Sequence, residues 1–188
     1  TQRLLDVSEE DYAYVMDTNL RGAFFMAQQT AKRMIQRAKG DPKKQHRIVN
    51  IASVAGLRVL PQIGVYCVSK AGVEMLVQQA ADELGVVGIR ANAVRPGLVP
   101  TDISVGLTTM PSVVDDYLDQ MPIARLGTTD DIAASVRFLL GPESGWVTGQ
   151  CLSVDGGHTL RRGPNLTPLM EAVLGDAAHP PRPEGDGR

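Results

Sequence analysis

Three short runs of β-branched and small apolar residues limit what this chain can become: Ile48–Ser53, Ile89–Arg95 and Gln150–Val154. Each has the length of a buried strand. Long segments with helical spacing separate them. Strands joined through helices pair in parallel, with the helices laid over the sheet faces. The expected fold class is therefore α/β, and residues 1–160 are expected to form one body around that sheet. A short extension follows at 161–175, where Pro168–Leu174 reads as a helix. Residues 176–188, with Pro180, Pro181 and Pro183 among charges and glycines, read as a disordered tail.

The first helix is expected from Ser8 to about Arg37. Ser8 suits the cap, and Glu9, Glu10 and Asp11 suit the positive end of the helix dipole. Val15, Met16, Leu20, Phe24, Phe25, Ala27 and Ala31 recur at helical spacing, so the aromatics are read as core or helix-packing residues. Gly40–Gln45 is a polar loop, and Lys39, Lys43, Lys44 and Arg47 are read as its solvated face. A second helix is expected from Val65 to Leu84, where Ala71 and Gly72 let another backbone come close. Between Thr101 and Pro122 lies a segment whose Met110, Leu118 and Met121 either face a hydrophobic substrate or pack a lid. Thr128 or Thr129 caps a further helix that stops at Gly141 and Pro142.

The 188 residues suit one domain, and an apolar share of 43% is ordinary for a globular core. A formal net charge of -2 gives no electrostatic case for nucleic acid or membrane surfaces. No apolar run approaches the ~20 residues that span a bilayer. Cys67 and Cys151 make neither a disulfide framework nor a metal cluster, and both are read as small core residues. The cytoplasm is then the expected compartment. His46, His158 and His179 are scattered and receive no catalytic or metal role, so no metal is expected.

One pair of side chains carries chemistry. Tyr66 and Lys70 stand four residues apart, about one turn along the same helix face. A free phenol has a pKa near ~10, and a nearby ammonium favours the phenolate and lowers that value. Such a tyrosine exchanges protons near neutral pH. Ser53 ends the first strand, where open α/β sheets place the groups that handle ligands. A hydroxyl there can hold a carbonyl oxygen while the phenol protonates it.

Ser53, Tyr66 and Lys70 together resemble the serine, tyrosine and lysine of the classical short-chain dehydrogenases/reductases. Further stretches match in order. Asn19, within Asp17–Gly22, resembles the family's helical asparagine; Arg95–Thr101 resembles the proline-glycine turn that approaches the nicotinamide. Arg125–Ala133 resembles the start of the penultimate helix, and Gly145–Gly157 the last strand. The resemblance runs from about Leu5 to Thr159. It implies a Rossmann-like doubly wound parallel sheet, of which this chain holds only the C-terminal part. The family's glycine-rich turn, which seats the pyrophosphate, is not in the sequence, and neither is its Asn-Asn-Ala-Gly stretch.

The resemblance implies an oxidoreductase that uses NAD or NADP to interconvert a carbonyl and an alcohol on a small molecule. Tyr66 would be the general acid or base, Ser53 would bind the substrate oxygen, and Lys70 would lower the Tyr66 pKa and hold the nicotinamide ribose. Asn19 would hold a water between Lys70 and solvent. Tyr66, Lys70, Pro96, Gly97, Val99 and Thr101 would line the coenzyme. The sequence is similar to 3-oxoacyl-acyl-carrier-protein reductases and to small-alcohol or sugar dehydrogenases. The carrier-protein enzymes tend to carry a base in the turn after the tyrosine helix, whereas here Gly85–Gly88 has none before Arg90. The family's long helices pair across two-fold axes, which implies a homotetramer. The alternative is an inactive half-fold that serves as an oligomerisation or interaction module.

Overall fold

The computed structural model describes residues 2–39, 45–161 and 166–175. The tail at 176–188, residues 162–165 of the extension, and Lys43 and Lys44 of the basic loop lie outside that set. The three predicted strands form, in the order β1-β2-β3 and all parallel. They are β1 (His46–Ile51), β2 (Ile89–Pro96) and β3 (Cys151–Val154). The first begins and ends two residues earlier than the sequence suggested, so Ala52 and Ser53 lie beyond it. Arg47, read as part of a solvated loop, is half-buried inside β1.

The long first helix is three pieces in one rod: α1 (Glu9–Met16), a π-helical turn at Asp17–Arg21, and α2 (Gly22–Ala38). Ser8 caps it as expected, its Oγ accepting from the Asp11 N–H at 3.1 Å. A π turn inserts one extra residue into the ladder and is found often at functional sites. Here it carries Asn19. Of the predicted apolar stripe, Ala27 and Ala31 are buried, while Phe24 and Phe25 are exposed and touch each other edge to face at 5.4 Å. The reading of these aromatics as core does not hold within this chain.

Helix α3 (Gly64–Gly85) buries Cys67, Ser69, Val73, Glu74, Val77 and Ala81, a stripe at helical spacing that packs on β2. Val73 and Val77 meet Ala52 and Ala93 at the centre of the core, with Leu20, Ala23 and Cys151 beside them. Gly72 is small because a Cβ there would stand 2.7 Å from Leu20 Cδ2. The neighbour it admits is therefore a side chain rather than a second backbone.

The chain then passes through two short helices, α4 (Val105–Thr108) and α5 (Pro111–Asp119), to α6 (Thr129–Leu140), which covers the opposite face of the sheet. Thr128 is the cap, in a reciprocal capping box with Asp131. Helix α7 (Thr167–Leu174) follows β3 and touches α5. Between Thr101 and Pro122, Met121 is buried, and Met110 and Leu118 are half-buried.

Strand β2 is buried on both faces from Ile89 to Val94. Its polar residues are answered by the loop before β3. Arg90 donates to the Val147 carbonyl at 2.8 Å and to Ser144 Oγ at 3.1 Å, and Asn92 bonds the Val147 carbonyl and the Gln150 N–H. Strand β1 is at the sheet edge. The Ala52 N–H bonds the Val94 carbonyl, so by the alternation of a parallel ladder the amide and carbonyl of Ile51 face away from β2.

Candidate active site

Ser53 follows β1 in extended conformation and caps the 3-10 turn Val54–Gly56, its Oγ accepting from the Ala55 N–H at 3.1 Å. That turn packs on α3, which delivers Tyr66 two residues after its start. The Ser53 hydroxyl lies close enough to the Tyr66 phenol to act on its ionisation. The three predicted residues thus come together: Lys70 Nζ lies 5.6 Å from the centroid of the Tyr66 ring and donates to the Ile51 carbonyl at 3.0 Å.

The electrostatics differ from the expectation. Burial pushes the Tyr66 phenol above its usual value, and the nearby Ser53 hydroxyl offsets this only in part. Burial also lowers the Lys70 ammonium. The cation sits over the ring face and donates its hydrogen bond to the Ile51 carbonyl, so the phenol loses more from desolvation than it gains from neighbours. The expected lowering of Tyr66 by Lys70 is not present in this chain's structure.

Asn19 reaches α3 at the neighbouring residue. Its Nδ2 donates to Ser69 Oγ at 3.1 Å, and Ser69 in turn donates to the Tyr66 carbonyl at 2.7 Å. The direct partner of Asn19 is therefore Ser69.

Pro96, Gly97, Val99 and Thr101 leave β2 at the same sheet end as Ser53, for Ile51 pairs with Val94 in register. The turn is pinned on several sides. Gly97 N–H bonds the Val154 carbonyl at 3.0 Å, Gly127 N–H bonds the Leu98 carbonyl at 3.0 Å, and Ser104 Oγ donates to the Val99 carbonyl at 2.6 Å. Thr101 is exposed.

Two hollows adjoin these residues. Tyr66 opens on the smaller, about 100 Å³, with Gln2, Asp11, Val15 and Gln62. The larger, about 280 Å³, lies between Gly97, Tyr117, Met121, Arg125 and Asp155, away from Tyr66. Tyr66, the candidate proton donor, is among the residues that line the smaller one. By itself that hollow falls short of the ~300 Å³ typical of a ligand pocket. Among the described residues no cluster of histidine, cysteine, aspartate and glutamate has the form of a metal site, and no helix is long and apolar enough to cross a membrane.

Three features escaped the sequence reading. Glu74 and Arg95 form a buried pair, Nη2 to Oε2 at 2.6 Å, with Arg95 also donating to the Cys151 carbonyl. An acid inside the stripe Val73–Val77 was the available signal. Gln62, on the rim of the Tyr66 hollow, has a left-handed backbone at φ 69° and a buried, unbonded Oε1. Nothing local marks it. Tyr117 is buried beneath the proline-glycine turn, its hydroxyl bonded to the Leu98 N–H.

A family model described as enoyl-(acyl carrier protein) reductase matches residues 1–159. The chain is 36% identical over 154 residues to the 3-oxoacyl-(acyl-carrier-protein) reductase of Chlamydia muridarum, covering 82% of this chain and 59% of that protein. Its fold is similar to a short-chain dehydrogenase/reductase from Mycobacterium ulcerans, with TM-score 0.87 and 34% identity over 94% of this chain and 62% of the other. It is also similar to a gluconate 5-dehydrogenase from Burkholderia cenocepacia, solved with NADP and tartrate, with TM-score 0.80 and 31% identity over 85% and 60%. The chain thus spans about three fifths of the length of its relatives, and it carries the parallel sheet, its covering helices and the serine-tyrosine-lysine cluster in their expected order. It belongs to the classical short-chain dehydrogenase/reductase family.

Proposed function

We propose that this chain forms the catalytic part of an NAD- or NADP-dependent oxidoreductase that interconverts a carbonyl and an alcohol on a small molecule. The observation that carries the reading is the convergence of Ser53, beyond the end of β1, with Tyr66 and with Lys70, whose Nζ lies 5.6 Å from the centre of the Tyr66 ring. Tyr66 gives a proton to the carbonyl oxygen in reduction and takes one from the alcohol in oxidation. Burial keeps the phenol protonated at neutral pH, which suits the donor role. Ser53 holds the reacting oxygen. Lys70, freed from the Ile51 carbonyl, holds the nicotinamide ribose, and Asn19 holds a water on the path from Lys70 to solvent.

The chemistry that a bound nicotinamide supplies is hydride transfer; the protein supplies orientation and proton movement. The turn at Pro96, Gly97, Val99 and Thr101 fits that end of the coenzyme. Its backbone is fixed by neighbours, and a Cβ at Gly97 would stand 2.9 Å from Asp155 Cα. The NADP in the Burkholderia structure supports this reading. Arg90, the first base after α3, is buried and engaged, which favours a small substrate over one presented on a carrier protein.

The test is a coenzyme-linked assay of the complete protein against keto acids, ketoses and 3-oxoacyl thioesters. Turnover on one class supports the reading; none on any class, with coenzyme bound, overturns it. One observation favours the second reading, an inactive interaction module: Lys70 is engaged with Ile51 on the open sheet edge. Turnover by the complete protein excludes it.

A further inference from the structure

Gln62 departs from its surroundings in two ways. Its backbone is left-handed, at φ 69°, the one positive φ outside glycine among the described residues. A residue with a Cβ keeps that conformation only where its surroundings enforce it, and such residues cluster at sites that hold ligands. Its Oε1 is buried and has no hydrogen-bond partner, which is costly for a carbonyl until a donor arrives. The loop explains neither feature. The Gln62 main-chain carbonyl accepts the Gln2 N–H at 2.7 Å, beside the bridge that joins Gln2 to Ile63. A glycine would accept the same bond without strain. The hollow around it has a consistent polarity. Gln62 stands four residues before Tyr66, just ahead of α3, and both residues line the space of about 100 Å³. Asp11 also lines it, and hydrogen bonds from Ser8 and Gln2 hold its carboxyl below the usual value, so it is ionised at neutral pH. Among the described residues no lysine, arginine or histidine lines this hollow. The nearby Lys70 ammonium is turned to the Ile51 carbonyl.

We propose that Gln62 is a specificity-determining residue: its side-chain carbonyl accepts a hydrogen bond from a substrate hydroxyl, and the substrate is an uncharged polyhydroxy carbonyl compound or the matching polyol. This rests on the oxidoreductase reading above and names its substrate class. A hydroxyl beside the reacting carbonyl supplies the donor that Oε1 lacks. No bond holds the Gln62 side chain, so it turns on its own torsions to meet that hydroxyl. A substrate carboxylate in the same place would face Asp11 with no lining cation to offset it. A plain alkyl ketone would leave the buried carbonyl unpaired, and a site built to bond a hydroxyl rejects an analogue without one.

The experiment is steady-state reduction by the complete protein of three carbonyl compounds with equal carbon chains: erythrulose, which carries hydroxyls, butanone, which carries none, and α-ketobutyrate, which carries a carboxylate. NADH and NADPH are each supplied. The native protein should show its highest kcat/KM on erythrulose. In Gln62→Met, which fills similar space without an acceptor, the ratio of kcat/KM for erythrulose to that for butanone should fall about three- to tenfold, the loss expected of one neutral hydrogen bond. Gln62→Gly, which suits the left-handed backbone, should lose the same preference with no fall in thermal midpoint. It also serves as the comparison if Gln62→Met does not fold. A merely structural role, such as a bond from Gln62 to a preceding part of the complete chain, would lower the midpoint in both variants and leave the ratio in place. An unchanged ratio overturns the proposal, as does a native preference for butanone or α-ketobutyrate, or turnover confined to 3-oxoacyl thioesters; the oxidoreductase reading survives each of these. Bound coenzyme with no turnover on any carbonyl compound overturns that reading, and this inference with it.

Discussion

Removing one oxygen atom at Tyr66 separates the phenol's chemistry from the packing of its ring. In the complete protein, Tyr66→Phe should lower kcat by ~10²–10⁴-fold, the usual contribution of a positioned acid or base. Coenzyme affinity should stay nearly unchanged. Steady-state kinetics with a calorimetric coenzyme titration checks both, and near-native turnover would remove Tyr66 from the mechanism. The buried phenol also sets a pH signature. Its folded value lies above the usual 10.0, so its contribution to stability is complete below pH 10 and is lost as pH rises through the raised value. In the 188-residue chain, the ultraviolet tyrosinate signal missing from Tyr66→Phe should therefore titrate above pH 10. Titration below that point would show Lys70 acting on the phenol without coenzyme. Ser53, Tyr66 and Lys70 were legible as candidates from the end of a strand-like run, a four-residue helical spacing and their resemblance to the family's set. The direction of the Tyr66 shift was not, because desolvation depends on what covers the ring.

Strand β2 and helix α3 are held together by more than the apolar contacts of Val73 and Val77. Glu74 and Arg95 face each other inside that interface, with side chains 9% and 16% exposed. Breaking such a pair leaves a buried charge without its partner and costs about 3–5 kcal/mol. Glu74→Gln should destabilise the fold by an amount near that range, read as a fall in the denaturant midpoint; a loss below ~1 kcal/mol would mean water already reaches Arg95. The ends of α3 and α6 were readable from the sequence, since glycines, caps and apolar spacing are local signals. The π turn at Asp17–Arg21 was not. Periodicity shows a continuous helix on either side of it, and the turn's contacts, Leu20 against Gly72 and Asn19 on Ser69, lie some fifty residues away in sequence.

At the scale of the whole molecule, the sheet edge and the exposed helix faces raise the same question of what covers them. Ile51, at the end of β1, is 49% exposed, and its carbonyl is taken by Lys70 rather than by a strand. An unpaired apolar edge pairs or aggregates readily. The 188-residue chain expressed alone should therefore self-associate and bind neither NADH nor NADPH in a calorimetric titration. Micromolar coenzyme binding by a stable monomer would overturn that expectation. Phe24, Phe25 and Met26 on α2, with Val68 and Met75 on α3, form exposed apolar faces of the kind buried between identical subunits. The complete protein should sediment as a homotetramer, and a monomer at micromolar concentration would count against that assembly.

The sequence by itself determined the order of the strands and long helices, the parallel sheet, the cap at Ser8 and the candidate serine-tyrosine-lysine set. Each of these follows from local spacing, or from a chemistry that few residue types perform. The tertiary structure alone decided that Asn19 bonds Ser69, that Lys70 turns to the Ile51 carbonyl, that Phe24 and Phe25 lie outside the core and that Tyr117 seats the turn at Gly97. Those outcomes depend on which groups meet across large sequence distances. Burial and the direction of a lone hydrogen bond belong to the packed neighbourhood, and no window of sequence contains it.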